Sequence, residues 1–482
     1  MNISEMQYRM ILHELSAIVG SEYVITSEAD RTIYSVDYYW APRLLIDRGK
    51  LPPLPDIVVL PANVEEVSAV IKLANIYHIP VIPWGGGSGS QGGILSMYGG
   101  FMLDMKRLNK ITEINEISGT VTAQAGINGY DLECAVNAAG WTMPHYPASV
   151  HSATLGGYLA CRGSGTVSTK YGKAEDMVLS MQVVLPTGEI IKTLPVPNHA
   201  AGPGILQLFV GAEGSYGIIT EATMRLERVP EVRRFRSFLF PDMHAGLEAG
   251  RNIMLDRLQP LVIRLYDERS TIKTIRHVLG LDVTQGSYMV IGFDGFEDIV
   301  AAQEHRAFEI IKDHGAEDLG EDAGKTWWEH RYDFYFPPKT LDLPWMYGTL
   351  DTVATFDKLE PLYWAKKAAL EEAYKEWDLF YYAHFSHWYP WGVMAYDRFI
   401  IENPPSDPEE ALTLHDEIWD LAVKVNLEYG GVINEHHGVG LKLSRHVREQ
   451  FGPSFKVLEE LKNTLDPYHL LNPGKMGFGP PR

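Results

Sequence analysis

The segment Asn434-Glu-His-His-Gly-Val-Gly440 sets two adjacent imidazoles in a loop bounded by glycine, after a helical stretch and a Gly-Gly turn. An imidazole titrates near neutrality and can take the hydroxyl proton of an alcohol. His437 and His436 are therefore candidate bases, with a hydrogen-bonded pair in a structural loop as the plainer alternative. A second cluster, His384-Phe-Ser-His387-Trp-Tyr-Pro-Trp-Gly-Val-Met-Ala-Tyr396, offers Tyr389 and Tyr396 as pocket residues. Trp327, Trp328 and Tyr332 are candidate aromatic walls, although core packing accounts for each taken singly. The four histidines of the two clusters could ligate a metal. An aromatic strand facing a pocket explains them equally well, so no metal is assigned. Val262-Ile-Arg-Leu-Tyr-Asp267 places Arg264 in an apolar strand. A buried guanidinium is costly unless paired, so Arg264 either pairs with an acid such as Asp267 or binds an anionic substrate.

The densest glycine stretch, Trp84-Gly-Gly-Gly-Ser-Gly-Ser-Gln-Gly-Gly93, contains a nominal G-x-G-x-x-G at Gly87, Gly89 and Gly92. A dinucleotide site of the Rossmann type needs that motif to open a helix. Here it runs into further glycines and a strand, and that reading is rejected. A non-helical glycine loop can still form a concave nest of N–H groups for phosphate. Similar small-residue loops recur at Pro147–Gly157, Arg162–Gly165 and Gly211–Thr220, which suits a long polar ligand threaded between backbones.

Elements must hold these loops in place. The chain has 482 residues, enough for two or three domains, with 45% hydrophobic and 22% charged residues. Its net charge of −20 argues against an extended nucleic-acid contact or an anionic membrane surface. The two cysteines, Cys134 and Cys161, form no disulfide framework, and Cys134 is expected in the core. No apolar run is long enough to span a membrane and the first ten residues do not read as a secretory signal, so a cytoplasmic location is expected. A strand at 56–60, a helix capped by Asn63 with Glu66 three residues on, and a strand at 79–83 lead into the glycine loop. Short β-like runs alternate with turns over 121–226. Beyond about residue 228, helical patterns at 244–254, 299–314, 359–376 and 409–429 flank aromatic strands at 288–294 and 383–400, and a last helix lies near 454–465.

The order of motifs resembles the vanillyl-alcohol-oxidase, or PCMH-type, FAD-binding family. The pieces are Pro55–Pro61, Glu65–Val67, Pro83–Ser88, Thr154–Gly157, Tyr171–Val178 and Gly211–Ala222. The histidine loop is similar to the H-H-G-V-G loop of the alkyldihydroxyacetonephosphate synthases and to the G-E-H-G-I-G loop of FAD-linked D-2-hydroxyacid dehydrogenases. In both comparisons His437 takes the matched position, while Glu435 stands where the synthases have the first of three histidines. The resemblance implies FAD as cofactor. Gly85, Gly86, Gly87, Ser88, Gly89 and Ser90, after Trp84, would wrap the pyrophosphate. Pro147, Ala148, Ser149, Thr154, Gly156 and Gly157 would line the ribityl chain and flavin, with Arg162 and Ser164 in the adjoining loop. Glu213, Gly214, Gly217 and Ile219 would hold the adenine half. The ending D-P-x-x-x-x-N-P-G-K would bring Asn472 and Lys475 back to the cofactor, with Lys475 near the flavin C2 carbonyl. Ser88 lies where some members carry a flavin-linking histidine, so FAD is expected to be non-covalent.

The expected fold is α+β: a FAD domain of two α+β subdomains from residues 1–228 and 450–482, and an antiparallel-sheet cap from 229–449. The expected activity is oxidation of an alcohol or 2-hydroxy acid, phenolic ones included, by hydride transfer to flavin. His437 and His436 are the catalytic candidates, with Arg264, Tyr389 and Tyr396 about the substrate. A flavin-dependent alkyl transfer is the alternative, and a non-catalytic flavoprotein a weak third. Partners would be a small-molecule substrate and either oxygen or an electron-carrier protein, in a chain that could form a homodimer.

Overall fold

The computed structural model describes residues 4–196, 198–332 and 343–482. The first layer is a β-α-β unit built as its residues require. Asn63 caps the helix Val64–Tyr77 by accepting from the Glu66 amide at 2.8 Å, and the Glu66 carboxylate accepts in return from the Asn63 side chain at 2.8 Å. That helix buries Val67, Val70, Ile71 and Ala74. Strands Ile57–Val59, Phe101–Asp104 and Val81–Trp84 pair in parallel, with Val24–Ile25 antiparallel at the edge. Ile57, Val58 and Val59 are all buried, the unbroken apolar pattern of a sheet covered on both faces.

A five-stranded antiparallel sheet follows, in the order Ile111–Asn115, Thr120–Gln124, Ile218–Arg225, Val178–Val184, Ile190–Lys192. Cys134 corrects its expectation. The helix Gly129–Ala138 turns Leu132 and Val136 inward and leaves Cys134 exposed.

The third sheet has eight antiparallel strands, from Glu317–Leu319 through Val232–Phe240, Ser287–Gly295, Val262–Tyr266, Phe380–Tyr389 and Gly392–Ile401 to Met346–Thr349, with Thr352–Thr355 also on Gly392–Ile401. One face packs on helices: Leu265 meets Gly246 of the helix Met243–Leu255, and Trp388 meets its Gly250. The opposite face carries Arg264, Tyr266 and His384. The aromatic run 383–400 is a hairpin rather than one strand, because Pro390 and Trp391 turn the chain between Phe380–Tyr389 and Gly392–Ile401.

The end of the chain returns to the first sheet. The Val81 amide donates to the Leu470 carbonyl at 2.8 Å, and the Asn472 amide to the Val81 carbonyl at 2.9 Å. Among the described residues no helix is long and apolar enough to cross a membrane.

Candidate active site

One long cavity runs between the glycine loops and the face of the eight-stranded sheet. Trp84, Gly85, Gly87, Ser88, Gly89 and Ser90 line it on one side. Pro147, Ala148, Ser149, Thr154, Gly156, Gly157 and Ser164 line it as well, as do Glu213, Gly214, Gly217, Ile219 and Asn472. The loops press so closely on one another that side chains would not fit. A Cβ on Gly85 would lie 2.4 Å from Thr154 Oγ1, and one on Gly214, at φ +77°, 2.5 Å from the Pro83 ring. Gly86 is the exception on the loop. It is off the wall, where a Cβ would meet the Ser152 carbonyl at 1.7 Å. Buried polar atoms line the same stretch with no partner among the described residues: Trp84 Nε1, Ser90 Oγ and both side-chain polar atoms of Gln91. Such groups are costly to bury unless a ligand satisfies them, and donors set in glycine loops fit a dinucleotide.

The opposite wall carries His384, Ser386, His387, Tyr396, His436, His437, Arg264, Arg331 and Tyr332. Strand alternation would give the cavity Ser386 or His387, not both. A bulge between Ser386 and Trp388 solves this, because His387 adopts φ 51° and is the extra residue. Tyr396 is the cross-strand partner of His384, and their rings stack 4.7 Å apart.

His437 is held from behind by Asp351, which sequence reasoning missed. Its Nδ1 lies 2.6 Å from an Asp351 oxygen, and its Nε2 lies 3.4 Å from the Tyr396 hydroxyl. A carboxylate only accepts, so Nδ1 carries the proton and Nε2 is left with its lone pair. Asp351 also accepts from the amides of Glu435 at 2.9 Å and His436 at 3.2 Å. The signal was one acid inside the apolar run 346–354, the same argument that singled out Arg264.

Burial sets the charges. It holds His437 below the usual imidazole value of 6.5 against the pull of Asp351. His384 is driven well below that value by burial and by the charges of Arg264 and Arg398. Burial also brings His387 down to about 4, although Glu435 opposes it. In the other direction, burial would raise Asp351, yet the imidazoles of His437 and His436 hold it well below the ordinary carboxylate range.

Several expected site residues lie elsewhere. Tyr389 is off the wall and donates its hydroxyl to Glu435 behind the histidines. Arg162 turns to the Val210 carbonyl at 3.3 Å and to Glu175 at 3.5 Å. Lys475 donates to the Leu95 carbonyl at 2.8 Å and braces the terminal turn instead of facing the cavity. Glu213 reaches the wall, but its carboxylate accepts from the amides of Val439 at 2.5 Å and Gly440 at 2.9 Å, so it holds the histidine loop. Asp267 is spent on Ser270, Tyr363 and Ala383. Trp327 donates to Tyr266 within the core and Trp328 stacks on Phe235, leaving Tyr332 as the aromatic wall. Asp37, Tyr38, Gln91, Thr349 and Arg331 line the cavity without having been expected. Asp351, His436 and His437, and likewise His387, Glu435 and His436, bring nitrogen and oxygen atoms within 4.8 Å of one another. Their carboxylates are already engaged by N–H donors and by Lys173, which leaves a cation little to bind.

Comparisons with known proteins bear on the family and the fold. The FAD binding domain matches residues 55–194, and the C-terminal domain of FAD linked oxidases matches residues 229–476. An alkyldihydroxyacetonephosphate synthase of Dictyostelium discoideum is 30% identical over 98% of this chain and 81% of its own length. A probable mitochondrial D-lactate dehydrogenase of Danio rerio is 28% identical over 88% of this chain and 84% of its own. Among solved structures, an alkyldihydroxyacetonephosphate synthase superposes with a TM-score of 0.82 at 28% identity, covering 97% of this chain and 86% of that one. p-Cresol methylhydroxylase with substrate bound reaches 0.79 at 19% identity over 99% and 98%, a likeness of fold alone. The chain is a flavoprotein of the FAD-linked oxidase family, with a PCMH-type FAD-binding fold.

Proposed function

We propose that this protein oxidises an alcohol or 2-hydroxy acid, with His437 as the base. The observation that carries the reading is the line Asp351–His437–Tyr396, which turns an imidazole lone pair toward the cavity that the FAD-binding segments line from the other side. FAD supplies the hydride acceptor. Asp351 fixes the tautomer and orientation of His437, and His437 Nε2 takes the hydroxyl proton of the substrate. Tyr396, now a donor to Nε2, stands where it can hand its hydrogen bond to the substrate oxygen. Arg264 and Arg331 on the same wall favour an anionic substituent, a carboxylate or phosphate, on that substrate. FAD is held non-covalently, since Ser88 offers no linking imidazole, and the electrons leave to oxygen or a carrier protein.

The second reading is an alkyl transfer without net oxidation. It is favoured by the 30% identity to the synthase of Dictyostelium over nearly the whole chain and by the shared histidine loop. Anaerobic mixing separates the two. A substrate of the first kind bleaches the flavin band at about 450 nm. If a panel of alcohols, 2-hydroxy acids and phenols leaves the band intact while an acyl-dihydroxyacetone phosphate reacts, the oxidation reading is wrong.

A further inference from the structure

His436 and His437 are chain neighbours with different surroundings. Both approach Asp351, His437 Nδ1 at 2.6 Å and His436 Nδ1 at 3.3 Å. His436 alone of the two also meets Glu435, whose Oε2 is 2.7 Å from the same nitrogen. The angle at His436 is not that of a good hydrogen bond, but the contact is close enough for charge pairing. Glu435 is buried behind the cavity wall. It holds His387 Nδ1 at 3.1 Å and accepts from the Tyr389 hydroxyl. Lys173 anchors it, with the ammonium 3.2 Å from the carboxylate and 2.6 Å from the Glu435 carbonyl.

We propose that Glu435 is a positioning residue that divides the labour of the two histidines: clamped by Lys173, it fixes His436 as an imidazolium in the cavity wall and leaves His437 as the neutral base. The inference rests on the reading of His437 given above. Two buried carboxylates converge on His436. Lys173 balances one of them, and an uncompensated buried carboxylate is expensive. A proton on His436, between the two, balances the other. The groups that face this imidazole are Glu435 and His437 from its own loop, Asp351 from the link between Met346–Thr349 and Thr352–Thr355, His387 and Tyr396 from the neighbouring strand pair, Lys173 through Glu435, and His145 and His384, both lowered by burial. Burial disfavours its charge, yet Asp351 and Glu435 overcome that and push it up to about 9. His437, which touches Asp351 but not Glu435, is held low instead. The fixed positive charge then offsets the negative charge that an anionic substrate or two-electron reduction brings into the cavity.

The test uses FAD-loaded protein labelled with 15N-histidine, with signals assigned by His436→Gln and His437→Gln. Between roughly pH 6 and 8 the wild-type His436 should stay protonated on both nitrogens and His437 should stay neutral. Glu435→Gln, which keeps the shape and removes the charge, should bring the His436 ionisation into that window. The same change should make the midpoint potential of bound FAD fall as that proton is lost. Glu435→Asp should restore the wild-type titration. A neutral His436 at pH 7 in the wild type overturns the proposal, as does Glu435→Gln with an unaltered titration and potential profile. If Glu435→Gln does not fold, the wild-type spectrum and Glu435→Asp still decide. The spectra need only bound FAD, so a failure of the oxidation reading is seen separately, as an unbleached flavin.

Discussion

At the scale of residues, the base and its buttress carry the chemistry. Replacing His437 with Ala should slow flavin reduction by about 10²- to 10⁴-fold, the span general-base groups contribute. FAD should stay bound, because the partners of the imidazole, Asp351 and Tyr396, belong to the cap side and not to the glycine loops, and the retained yellow absorbance checks this. The pH profile has a definite sign. His437 works neutral, and burial lowers it from 6.5, so the reduction rate should fall on the acid side and be flat from about pH 6.5 to 8, below the loss of the His436 proton. A stopped-flow profile still rising above pH 7 would assign the proton acceptor to another group. His437, Tyr396 and Arg264 were legible as types in sequence, since each stands out from its neighbours. Asp351 carried only one local signal, an acid inside the run 346–354, and the partner that gives it its role is 86 residues away.

At the scale of elements, the histidine loop is docked on the FAD-binding half at few points. Gly440 adopts φ +54°, and a Cβ there would lie 2.0 Å from the Gln91 carbonyl. Glu213 grips the same turn through the Val439 and Gly440 amides. Gly440→Ala should therefore displace the histidines at a cost of about 1–3 kcal/mol. Flavin reduction should drop at least tenfold while FAD affinity changes less. Gly86→Ala is the contrast. Its Cβ would strike the Ser152 carbonyl at 1.7 Å and push apart the two loops of the cofactor wall, so FAD affinity itself should fall. Flavin fluorescence titration of both variants checks the pair, and equal losses of affinity would contradict this division. The helices Val64–Tyr77, Glu297–Asp313 and Pro408–Glu428 were legible because apolar periodicity and caps are local. The bulge at His387 was not, since it depends on pairing with the neighbouring strand.

At the scale of the whole molecule, buried titrating groups tie stability to pH. Burial lowers His145 to about 3 and His387 to about 4, against 6.5 in an unfolded chain. Below pH 6.5 the unfolded chain therefore takes up protons that the folded one refuses, and stability is lost as pH falls. His436, raised to about 9, contributes stability that is present below pH 6.5 and lost as pH rises through 9. Lys442 and Lys475, lowered by burial to about 7 and about 8, gain stability as pH rises and oppose that alkaline loss. The His436 contribution is therefore read as a difference: the gap in unfolding midpoint between the wild type and His436→Gln, both FAD-loaded, should narrow from about pH 7 to 9.5. A gap that stays constant to the alkaline end would refute that contribution. Free FAD at about a hundred times its Kd should add roughly 2.7 kcal/mol, because it binds the folded cavity alone. The sequence by itself determined the α+β composition through periodicity, and the cofactor class and antiparallel cap through the family resemblance that its motif order carries, since periodicity and motifs are written in neighbouring residues. Only the tertiary structure decided which residues face the cavity. It turned Lys475 and Tyr389 away from the wall, gave Glu213 to the histidine loop, and set Asp351 and Glu435 behind the imidazoles. These outcomes depend on burial and charge pairing between segments tens to hundreds of residues apart, which spacing along a chain does not encode.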